Sequence, residues 1–437
     1  MAAAVPFYKR FGEREDLSSK GSRIYVFMNY GLLGEHLPHS HSPRIHGMLG
    51  NPDYTLFEKA PEEVADFLAA REFWGINVTI PYKQTVMPLC DVLDGAAIEI
   101  GAVNTVVNCD GKLFGCNTDF DGFIFMCNRA GIDMRGKNVL ILGGGGTSHT
   151  AMAAAKKLGA VAVRVAGRQK ALNYENLYTE AADTEILINT TPVGMYPHSG
   201  ERPVDLAKLP HLSGVVDVVY NPLRTRLICQ AESLGIPCTG GLTMLVAQAA
   251  FADRYFRGVQ HSGGEIVSIV KKLEQSLSNI VLIGMPGCGK STAGKLLAKI
   301  TGRELYDLDR VITDRAGKPI PEIFAEHGEE YFRDLETSVT KEIAAKCGVI
   351  IACGGGTVLR EENRIALHQN GRVVYIKREL CDLARGGRPL SAGDKAVEKL
   401  YEARRPIYEG FADCTVGPCA SVGDCVQKIM KQLEEKA

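Results

Sequence analysis

Two glycine-rich turns constrain the fold of this chain most, because each directly follows a short apolar stretch and precedes a helical pattern. The first turn is GGGG at residues 143–146, after NVLIL at 138–142. The second is GMPGCGKS at 284–291, after NIVLI at 279–283. A strand that leads through glycine into a helix N-terminus binds phosphate groups, since free backbone N–H groups and the helix dipole favour anions. Apolar β-branched runs alternate with helical patterns elsewhere, so we predict α/β folds with parallel sheets.

The length of 437 residues predicts two or three domains. A turn signal, HSGG at 261–264, separates the two halves, and four apolar residues at helical spacing follow it between 266 and 277. We therefore expect a linker helix at 259–278. Residues 1–22 are rich in charge and are expected to be an extension or a mis-set start, with Met28 as an alternative start.

Composition argues against several classes of partner and location. Lys and Arg number 50 against 51 Asp and Glu, so neither nucleic acid nor an anionic membrane is expected as a partner. No apolar run reaches the ~18 residues of a membrane helix, and the first residues do not resemble a signal peptide. The 13 cysteines contain no Cys-x-x-Cys pair, which indicates reduced thiols and a cytoplasmic location.

The first turn has the pattern GxGxxS at 143–148, which suits the pyrophosphate of a dinucleotide. A second strand is expected at 161–165. An enzyme that uses NAD usually carries an acid at the end of this strand, whereas this chain has Arg168 and Lys170 there. Cations suit the 2′-phosphate of NADP, so NADP is favoured; the alternative is that both residues are solvated surface cations.

The second turn fits the P-loop pattern GxxxxGKS in full. Its backbone N–H groups are expected to hold the phosphates of a nucleotide. Lys290 would reach the outer phosphates and Ser291 would hold Mg²⁺.

Around the first turn lie several polar blocks whose order resembles that of shikimate dehydrogenases, over about residues 28 to 256. The blocks are HSHSP at 39–43, GINVTIPYK at 75–83, GAVNT at 101–105, GCNTD at 115–119, NTTPVG at 189–194, DVVYNP at 217–222 and GLTMLVAQ at 241–248.

The resemblance implies a proton-transfer pair in which Lys83 is the general acid and base and Asp119 orients it. Without the blocks, two such residues 36 positions apart would be read as unrelated surface charges. Ser40 and Ser42 would hold the substrate carboxylate. The other implied substrate contacts are Asn77, Thr79, Asn104, Tyr220 and Gln248, and the implied cofactor contacts are Gly143, Gly145, Gly146, Thr147, Ser148, Arg168, Lys170 and Gly241.

Two features of this half need separate readings. The four histidines between 36 and 46 have no carboxylate or cysteine at a recognised ligand spacing, so we interpret them as loop histidines beside a binding site rather than as metal ligands. The family commonly has Asn-Arg-Thr where this chain has GRQ at 167–169, and a second arginine where it has Leu172. This departure weakens the expected hold on the 2′-phosphate, and Lys170 would compensate.

The second half resembles shikimate kinases over about residues 279 to 416, through YDLD at 306–309, GEEYFRDLE at 328–336, CGGGT at 353–357, RPL at 388–390 and RRPIY at 404–408. The resemblance implies that Asp307 helps to hold Mg²⁺ through water and that Asp309 contacts the reacting hydroxyl and is the best candidate for the base. It also implies that Glu336 orients Arg333 or the substrate ring; the alternative is that Arg333 and Glu336 form an ordinary helical ion pair. Arg388 would act from a short lid at 383–391. The remaining implied contacts are Arg333, Arg404, Gly355 and Gly356 for substrate and Gly287, Gly289, Lys290, Ser291 and Thr292 for the nucleotide.

Taken together, the resemblances imply a bifunctional enzyme of the shikimate pathway, on the way to chorismate and the aromatic amino acids. It would reduce 3-dehydroshikimate with NADPH and phosphorylate shikimate with ATP to shikimate 3-phosphate. The implied organisation is a substrate lobe at 23–125 completed by 236–258, a Rossmann NADP lobe at 126–235, and a P-loop kinase domain at 279–437. Alternatives are a quinate dehydrogenase with relaxed cofactor use, a kinase for another polyol, and a half that only binds or regulates.

Overall fold

The computed structural model of the protein describes residues 29–38, 40–380 and 394–435. The predicted extension at 1–22, the alternative start Met28, His39, and the lid with Arg388 lie outside these residues. Two compact units divide the chain: Met1–Pro192, Pro203–Tyr220 and Gln230–Val270 form the first, and Val193–Arg202, Asn221–Cys229 and Lys271–Ala437 form the second.

The first unit begins with a mixed six-stranded sheet in the order β2-β1-β3-β5-β6-β4. Strands β1, β2 and β3 run parallel, β5 pairs antiparallel with both β3 and β6, and β4 is parallel to β6. The strands are β1 (Asn29–Gly34), β2 (Tyr54–Glu58), β3 (Phe73–Val78), β4 (Val92–Leu93), β5 (Thr105–Cys109) and β6 (Lys112–Cys116), and the helices are α1 (Ser42–Met48), α2 (Val64–Ala70), α3 (Gly95–Ile100) and α4 (Thr118–Arg129).

A five-stranded parallel sheet in the order β11-β10-β9-β7-β8 follows in the same unit. The strand order reverses between β7 and β9, and ligands of doubly wound sheets bind at the carboxyl ends of the strands at such a point. The strands are β7 (Asn138–Leu142), β8 (Ala162–Ala166), β9 (Ile186–Asn189), β10 (Gly214–Asp217) and β11 (Cys238–Thr239), and the helices are α5 (Gly146–Lys157), α6 (Leu177–Glu180) and α8 (Leu242–Arg257). Helix α7 (Arg226–Ser233) begins in the second unit and ends in the first.

Helix α8 packs against both sheets of the first unit. Near its start, Met244 joins the apolar core around β7 and α4, and near its end Phe256 joins the core around β1 and β5. A Cβ on Gly75 of β3 would lie 2.3 Å from the Phe256 ring, so the sheet and the helix meet without space for a side chain. The segment that carries Gln248 therefore packs on the first sheet although it is distant in sequence.

The second unit contains a five-stranded parallel sheet in the order β13-β14-β12-β15-β16. Its central strand β12 leads into the second glycine turn. The strands are β12 (Asn279–Ile283), β13 (Leu305–Asp307), β14 (Ile350–Ala352), β15 (Gly371–Ile376) and β16 (Cys414–Val416), and the helices are α10 (Lys290–Thr301), α11 (Leu308–Ala316), α12 (Ile320–Ala344), α13 (Glu361–Asn370), α14 (Asp394–Phe411) and α15 (Val422–Glu435).

Helix α9 (Gly263–Leu277) occupies the predicted linker, and its four periodic apolar residues Ile266, Val270, Leu273 and Leu277 are all buried. Helix α5 starts at Gly146 and α10 at Lys290, so each turn runs directly into a helix. Among the described residues no helix combines the length and apolar character that crossing a membrane requires.

Candidate active sites

Lys83 and Asp119 lie together although 36 positions separate them. Lys83 follows β3, and Asp119 stands in the first turn of α4. The Lys83 Nζ donates to Asp119 Oδ2 at 2.5 Å, and the two side chains are 25% and 14% exposed. The backbone of Val103 also donates to the Lys83 carbonyl at 2.8 Å, which fixes the turn that carries the lysine. The geometry provides an ammonium held by a carboxylate and still accessible to a small molecule, as proton transfer requires.

Asn77, at the end of β3, is the centre of a buried polar network. Its side-chain Oδ1 accepts a hydrogen bond from the Tyr54 hydroxyl at 2.7 Å and lies 3.2 Å from His46 Nε2. Its Nδ2 donates to Thr105 Oγ1 at 3.0 Å. The interpretation of His46 as a loop residue is wrong: His46 lies in α1, is fully buried, and stacks on Tyr54 with ring centroids 3.9 Å apart.

The network continues from Asn77 towards the Lys83–Asp119 pair. Thr105 Oγ1 lies 3.1 Å from both Asn104 Oδ1 and Thr118 Oγ1. Asn104 Nδ2 donates to Thr118 Oγ1 at 3.1 Å, and the Thr118 backbone N–H donates to Asn104 Oδ1 at 2.7 Å. Since Thr118 precedes Asp119, hydrogen bonds connect both predicted asparagines to the start of α4.

The two serines predicted to bind carboxylate occupy the loop after β1 and the start of α1. Ser40 Oγ accepts from the Ser42 backbone N–H at 3.2 Å, which turns the chain into the helix. The edge of the Tyr220 ring approaches His41 between them, at 6.2 Å between centroids. Burial raises the pKa of Tyr220 above its usual value, so its phenol is a neutral hydrogen-bonding group.

Thr79 and Gln248 complete the predicted substrate contacts of the first unit. The Thr79 backbone N–H donates to the carbonyl of Leu33 in β1, and its half-buried side chain follows β3. Gln248 lies in α8, where its Nε2 donates to the Leu245 carbonyl at 2.9 Å. Within the part of the chain that the structure describes, neither side chain hydrogen-bonds to the network of Asn77.

The glycine turn of residues 143–146 lies at the carboxyl end of β7, beside the end of β9. Gly143 has a φ of 113°, and a Cβ there would lie 2.7 Å from Thr190 Oγ1. That hydroxyl donates to the Leu142 carbonyl at 2.6 Å, so only glycine fits at residue 143. Ser148 Oγ donates to the Gly145 carbonyl at 2.7 Å within the first turn of α5. The predicted cofactor contacts Gly145, Gly146 and Thr147 flank this helix start, and Gly241 precedes α8.

The two cations predicted to select NADP follow β8 and are exposed. Lys170 folds back over the glycine turn: a Cβ on Gly144 would lie 3.4 Å from Lys170 Cε. Arg168 lies on the same short segment, whose Gly167 backbone N–H donates to the Leu172 carbonyl. The turn, the helix N-terminus and these cations fit a phosphorylated dinucleotide.

A cavity of about 800 Å³ lies over the P-loop of the second unit. All predicted kinase residues within the described chain line it: Gly287, Gly289, Lys290, Ser291, Thr292, Asp307, Asp309, Arg333, Glu336, Gly355, Gly356 and Arg404. The Lys290 ammonium donates to the carbonyls of Gly284 and Met285 at 2.9 and 3.0 Å. Ser291 and Asp307 provide the oxygen ligands that Mg²⁺ prefers.

Glu336 connects the buried Arg333 to the glycine-rich turn of the CGGGT block at 353–357. Its Oε2 accepts from Arg333 Nη1 at 2.6 Å, and its Oε1 accepts from Thr357 Oγ1 at 2.7 Å. A Cβ on Gly356 would lie 2.5 Å from Arg333 Nη1, so the turn must carry glycine for the guanidinium to fit. Sequence reasoning assigned no role to Thr357, although it stands in the CGGGT block.

Arg404 and Tyr408 both donate hydrogen bonds to one carbonyl of the CGGGT turn, that of Gly355. Arg404 Nη1 donates to the Gly355 carbonyl at 3.1 Å, and the Tyr408 hydroxyl donates to it at 2.5 Å. The two residues are one helical turn apart on α14, which explains why both reach one atom. The role of Tyr408 was also missed, since the RRPIY block marks the residue but not its partner.

These features define two classes of enzyme site in one chain. The first unit has a dinucleotide-type turn and a lysine–carboxylate pair, which are typical of a nicotinamide-dependent oxidoreductase. The second unit has a P-loop, acidic residues and two buried arginines in one cavity, which are typical of a phosphotransferase.

Comparison with known proteins identifies both parts. A family model described as the shikimate dehydrogenase substrate-binding domain matches residues 32–106, and one described as shikimate kinase matches residues 286–434. A shikimate dehydrogenase (NADP(+)) of Clostridium beijerinckii is 35% identical over 250 residues, which are 53% of this chain and 92% of that protein.

Two solved structures have the same fold as the first part. A chorismate mutase/shikimate 5-dehydrogenase fusion protein from Clostridium acetobutylicum has a TM-score of 0.54 and 32% identity, covering 57% of this chain and 97% of that one. The Thermus thermophilus shikimate 5-dehydrogenase in complex with NADP(H) and shikimate has a TM-score of 0.51 and 29% identity, covering 56% and 99%. The chain belongs to the shikimate dehydrogenase family and continues into a shikimate kinase domain, which makes it a bifunctional enzyme of the shikimate pathway.

Proposed function

We propose that the chain reduces 3-dehydroshikimate to shikimate and then phosphorylates shikimate, with the two reactions at separate sites. The observation that carries the proposal is the Lys83–Asp119 pair in one unit and a P-loop cavity with two buried arginines in the other. Each set of side chains suits a small carboxylated ring with hydroxyl groups. The product of the first reaction is the substrate of the second.

In the first reaction Lys83 protonates the oxygen of the ketone. When bound, NADPH supplies the hydride. The Lys83 ammonium, 2.5 Å from Asp119, donates a proton from Nζ to that oxygen as negative charge develops there. Asp119 keeps the ammonium in place through this hydrogen bond. In the reverse direction Lys83 accepts the proton from the hydroxyl.

The remaining substrate contacts of this site follow from the types of side chain present. Ser40 and Ser42 are proposed to donate hydrogen bonds to the carboxylate, and Tyr220 lies beside them. Asn77 and Asn104 are buried and already hydrogen-bonded, so they present a pre-organised amide surface to the ring hydroxyls. Thr79 and Gln248 are proposed to contact the same hydroxyls.

The residues around the first glycine turn fit NADP. Gly143 allows close backbone approach, the start of α5 offers free N–H groups, and Lys170 lies over the turn. Arg168 and Lys170 are proposed to pair with the 2′-phosphate. Both are exposed, and Leu172 adds no charge, so a relaxed preference for NADP remains the second candidate. Turnover with NAD against NADP, and with quinate against shikimate, distinguishes the two.

In the second reaction Asp309 is proposed to accept the proton of the attacking hydroxyl. When bound, ATP supplies the phosphoryl group, and Mg²⁺ neutralises charge on its phosphates. Lys290 exchanges its bonds to the loop carbonyls for phosphate oxygens, and Ser291 and Asp307 would hold the metal. Arg333 and Arg404 hold the substrate carboxylate, for which a planar guanidinium is suited. A charge-stabilising role for Arg388 stays a prediction.

The assignment is tested by disabling one half at a time. Lys83→Ala is expected to abolish reduction of 3-dehydroshikimate and leave the phosphorylation of supplied shikimate unchanged. Lys290→Ala is expected to do the opposite. If Lys83→Ala left reduction intact, the pair would not be the proton donor. If one reaction is absent from the wild-type chain, that half is a binding or regulatory module instead.

A further inference from the structure

Two buried aromatic side chains of the first unit surround Asn77 without any role in the reaction described above. Both Tyr54 and His46 direct a polar atom at the same acceptor, the Oδ1 of Asn77, at 2.7 and 3.2 Å. Tyr54 is 6% exposed and His46 is fully buried. Neither pattern nor spacing in the sequence connects them, because Tyr54 and His46 lie 23 and 31 positions from Asn77.

The chemistry of these atoms determines the tautomer of His46. An amide oxygen only accepts hydrogen bonds, so His46 Nε2 must carry the proton that faces it. The other ring nitrogen, Nδ1, is buried and has no hydrogen-bond partner among the residues the structure describes. Burial lowers the pKa of His46 to about 4, which keeps the ring neutral and Nδ1 unprotonated. His46 is therefore a fixed neutral donor, not an acid–base group.

The contacts around Asn77 favour one orientation of its amide. With its oxygen held by Tyr54 and His46, its Nδ2 is directed to Thr105 Oγ1 at 3.0 Å and to the Asn104 carbonyl at 3.5 Å. A reversed amide would turn its oxygen towards the Asn104 carbonyl, which cannot donate, so that bond would be lost, and the partners at Tyr54, His46 and Thr105 would have to exchange donor and acceptor roles. The orientation of Asn77 is transmitted through Thr105 to Asn104 and Thr118, next to Asp119.

We propose that Tyr54 and His46 are positioning residues that set the amide orientation of Asn77 and thereby the affinity of the dehydrogenase site for its hydroxylated substrate. The proposal rests on the function proposed above. Because neither residue contacts the Lys83–Asp119 pair, the proposal predicts that their replacement weakens the binding of shikimate. It predicts little effect on the binding of NADP.

Steady-state kinetics of shikimate oxidation test the proposal in the full-length chain. Tyr54→Phe removes one donor and is expected to raise the KM for shikimate about five-fold, as the loss of one hydrogen bond predicts. His46→Leu is expected to raise it at least as much, whereas His46→Gln, which can keep an N–H donor towards Asn77, is expected to restore most of the affinity. The KM for NADP should change less than two-fold.

Two controls separate positioning from general damage to the fold. Tyr30→Phe removes another hydroxyl from the same unit, one that donates to the Phe256 carbonyl at 2.9 Å and does not reach Asn77. It should leave the KM for shikimate unchanged. The KM for NADP of every variant reports whether the first unit is intact, and its kinase turnover reports on the second unit.

The outcomes are distinguishable. A wild-type chain that oxidises shikimate, together with Tyr54→Phe and His46→Leu variants of unchanged KM, would overturn the positioning role and leave the proposed function standing. Equal losses in His46→Gln and His46→Leu would also overturn it, since the donor would then not matter. A wild-type chain that neither binds shikimate in calorimetry nor oxidises it would refute the proposed function and the inference with it.

Discussion

Glu336 offers the most quantitative test of the kinase site, because one buried carboxylate holds two partners. It is 1% exposed and accepts from Arg333 Nη1 at 2.6 Å and from Thr357 Oγ1 at 2.7 Å. Glu336→Ala removes both bonds. Among the described residues, the acidic partner that Arg333 then keeps is Glu329, whose side chain is 58% exposed and 3.2 Å away, so the guanidinium loses its orientation towards substrate.

The magnitude follows from the type of bond lost. A hydrogen bond to a charged group contributes about 1.5–3 kcal/mol. Since about 1.4 kcal/mol corresponds to a factor of ten, Glu336→Ala is expected to raise the KM for shikimate by about 10- to 100-fold. Glu336→Gln keeps an oxygen for Arg333 and places its amide N–H towards Thr357, so we expect a smaller rise, on the order of five- to ten-fold.

The assay varies shikimate and ATP separately in the full-length chain. The matched control is Glu342→Gln, which removes a carboxylate of the same helix that pairs with Arg315 at the surface. The reasoning predicts a change in the KM for shikimate and none in the KM for ATP or in dehydrogenase activity. It is refuted if Glu336→Ala stays within two-fold of wild type for shikimate, or if the loss appears in the KM for ATP.

Three further predictions concern the first unit. Lys83→Met should lower the kcat of ketone reduction by about 10²- to 10⁴-fold, as loss of a general acid does, while Lys137→Met, which breaks a similar pair with Glu185 at 2.7 Å, should not; steady-state assays decide. Lys170→Met should raise the KM for NADP about ten-fold, as loss of a charge-assisted bond predicts, and leave that for NAD unchanged; equal effects on both cofactors would contradict a role at the 2′-phosphate. Burial lowers the pKa of His46 from 6.5 to about 4, so between these pH values the unfolded chain binds more protons than the folded chain. The contribution of neutral His46 to the free energy of unfolding is therefore present above pH 6.5 and lost as the pH falls towards 4. Relative to His46→Gln, the wild type should lose about 3 kcal/mol of unfolding free energy over that range, measured in urea by fluorescence of Trp74, the single tryptophan, which lies in β3; parallel pH profiles would show that His46 is not neutral by burial.

The parallel sheets and phosphate-binding turns could be predicted because their signal is local. Strands β7 and β12 coincide with the apolar runs before the two glycine turns. Residue 143 must be glycine because a Cβ there would collide with Thr190. The spacing of the P-loop glycines likewise reflects the backbone conformation of the turn. The strand orders could not be predicted, because pairing depends on contacts between segments far apart in sequence.

The quoted blocks predicted which polar residues lie together, but not the residues that support them. Lys83 and Asp119 were expected to pair, and the structure brings them to 2.5 Å. His46 was misread because a short helix, α1, brings it into contact with Asn77 at the end of β3, which no spacing rule reveals. Thr357 and Tyr408 stand inside recognised blocks, yet their partners Glu336 and Gly355 become evident only when the turn and the helices are packed together.

The most direct test of the bifunctional account is mass spectrometry of one mixture that contains the purified chain, 3-dehydroshikimate, NADPH and Mg-ATP, with ATP omitted from a parallel sample. The account predicts shikimate 3-phosphate in the complete mixture and shikimate in the sample without ATP. Shikimate that accumulates in both samples would contradict the kinase assignment. Unchanged 3-dehydroshikimate in both would contradict the dehydrogenase assignment.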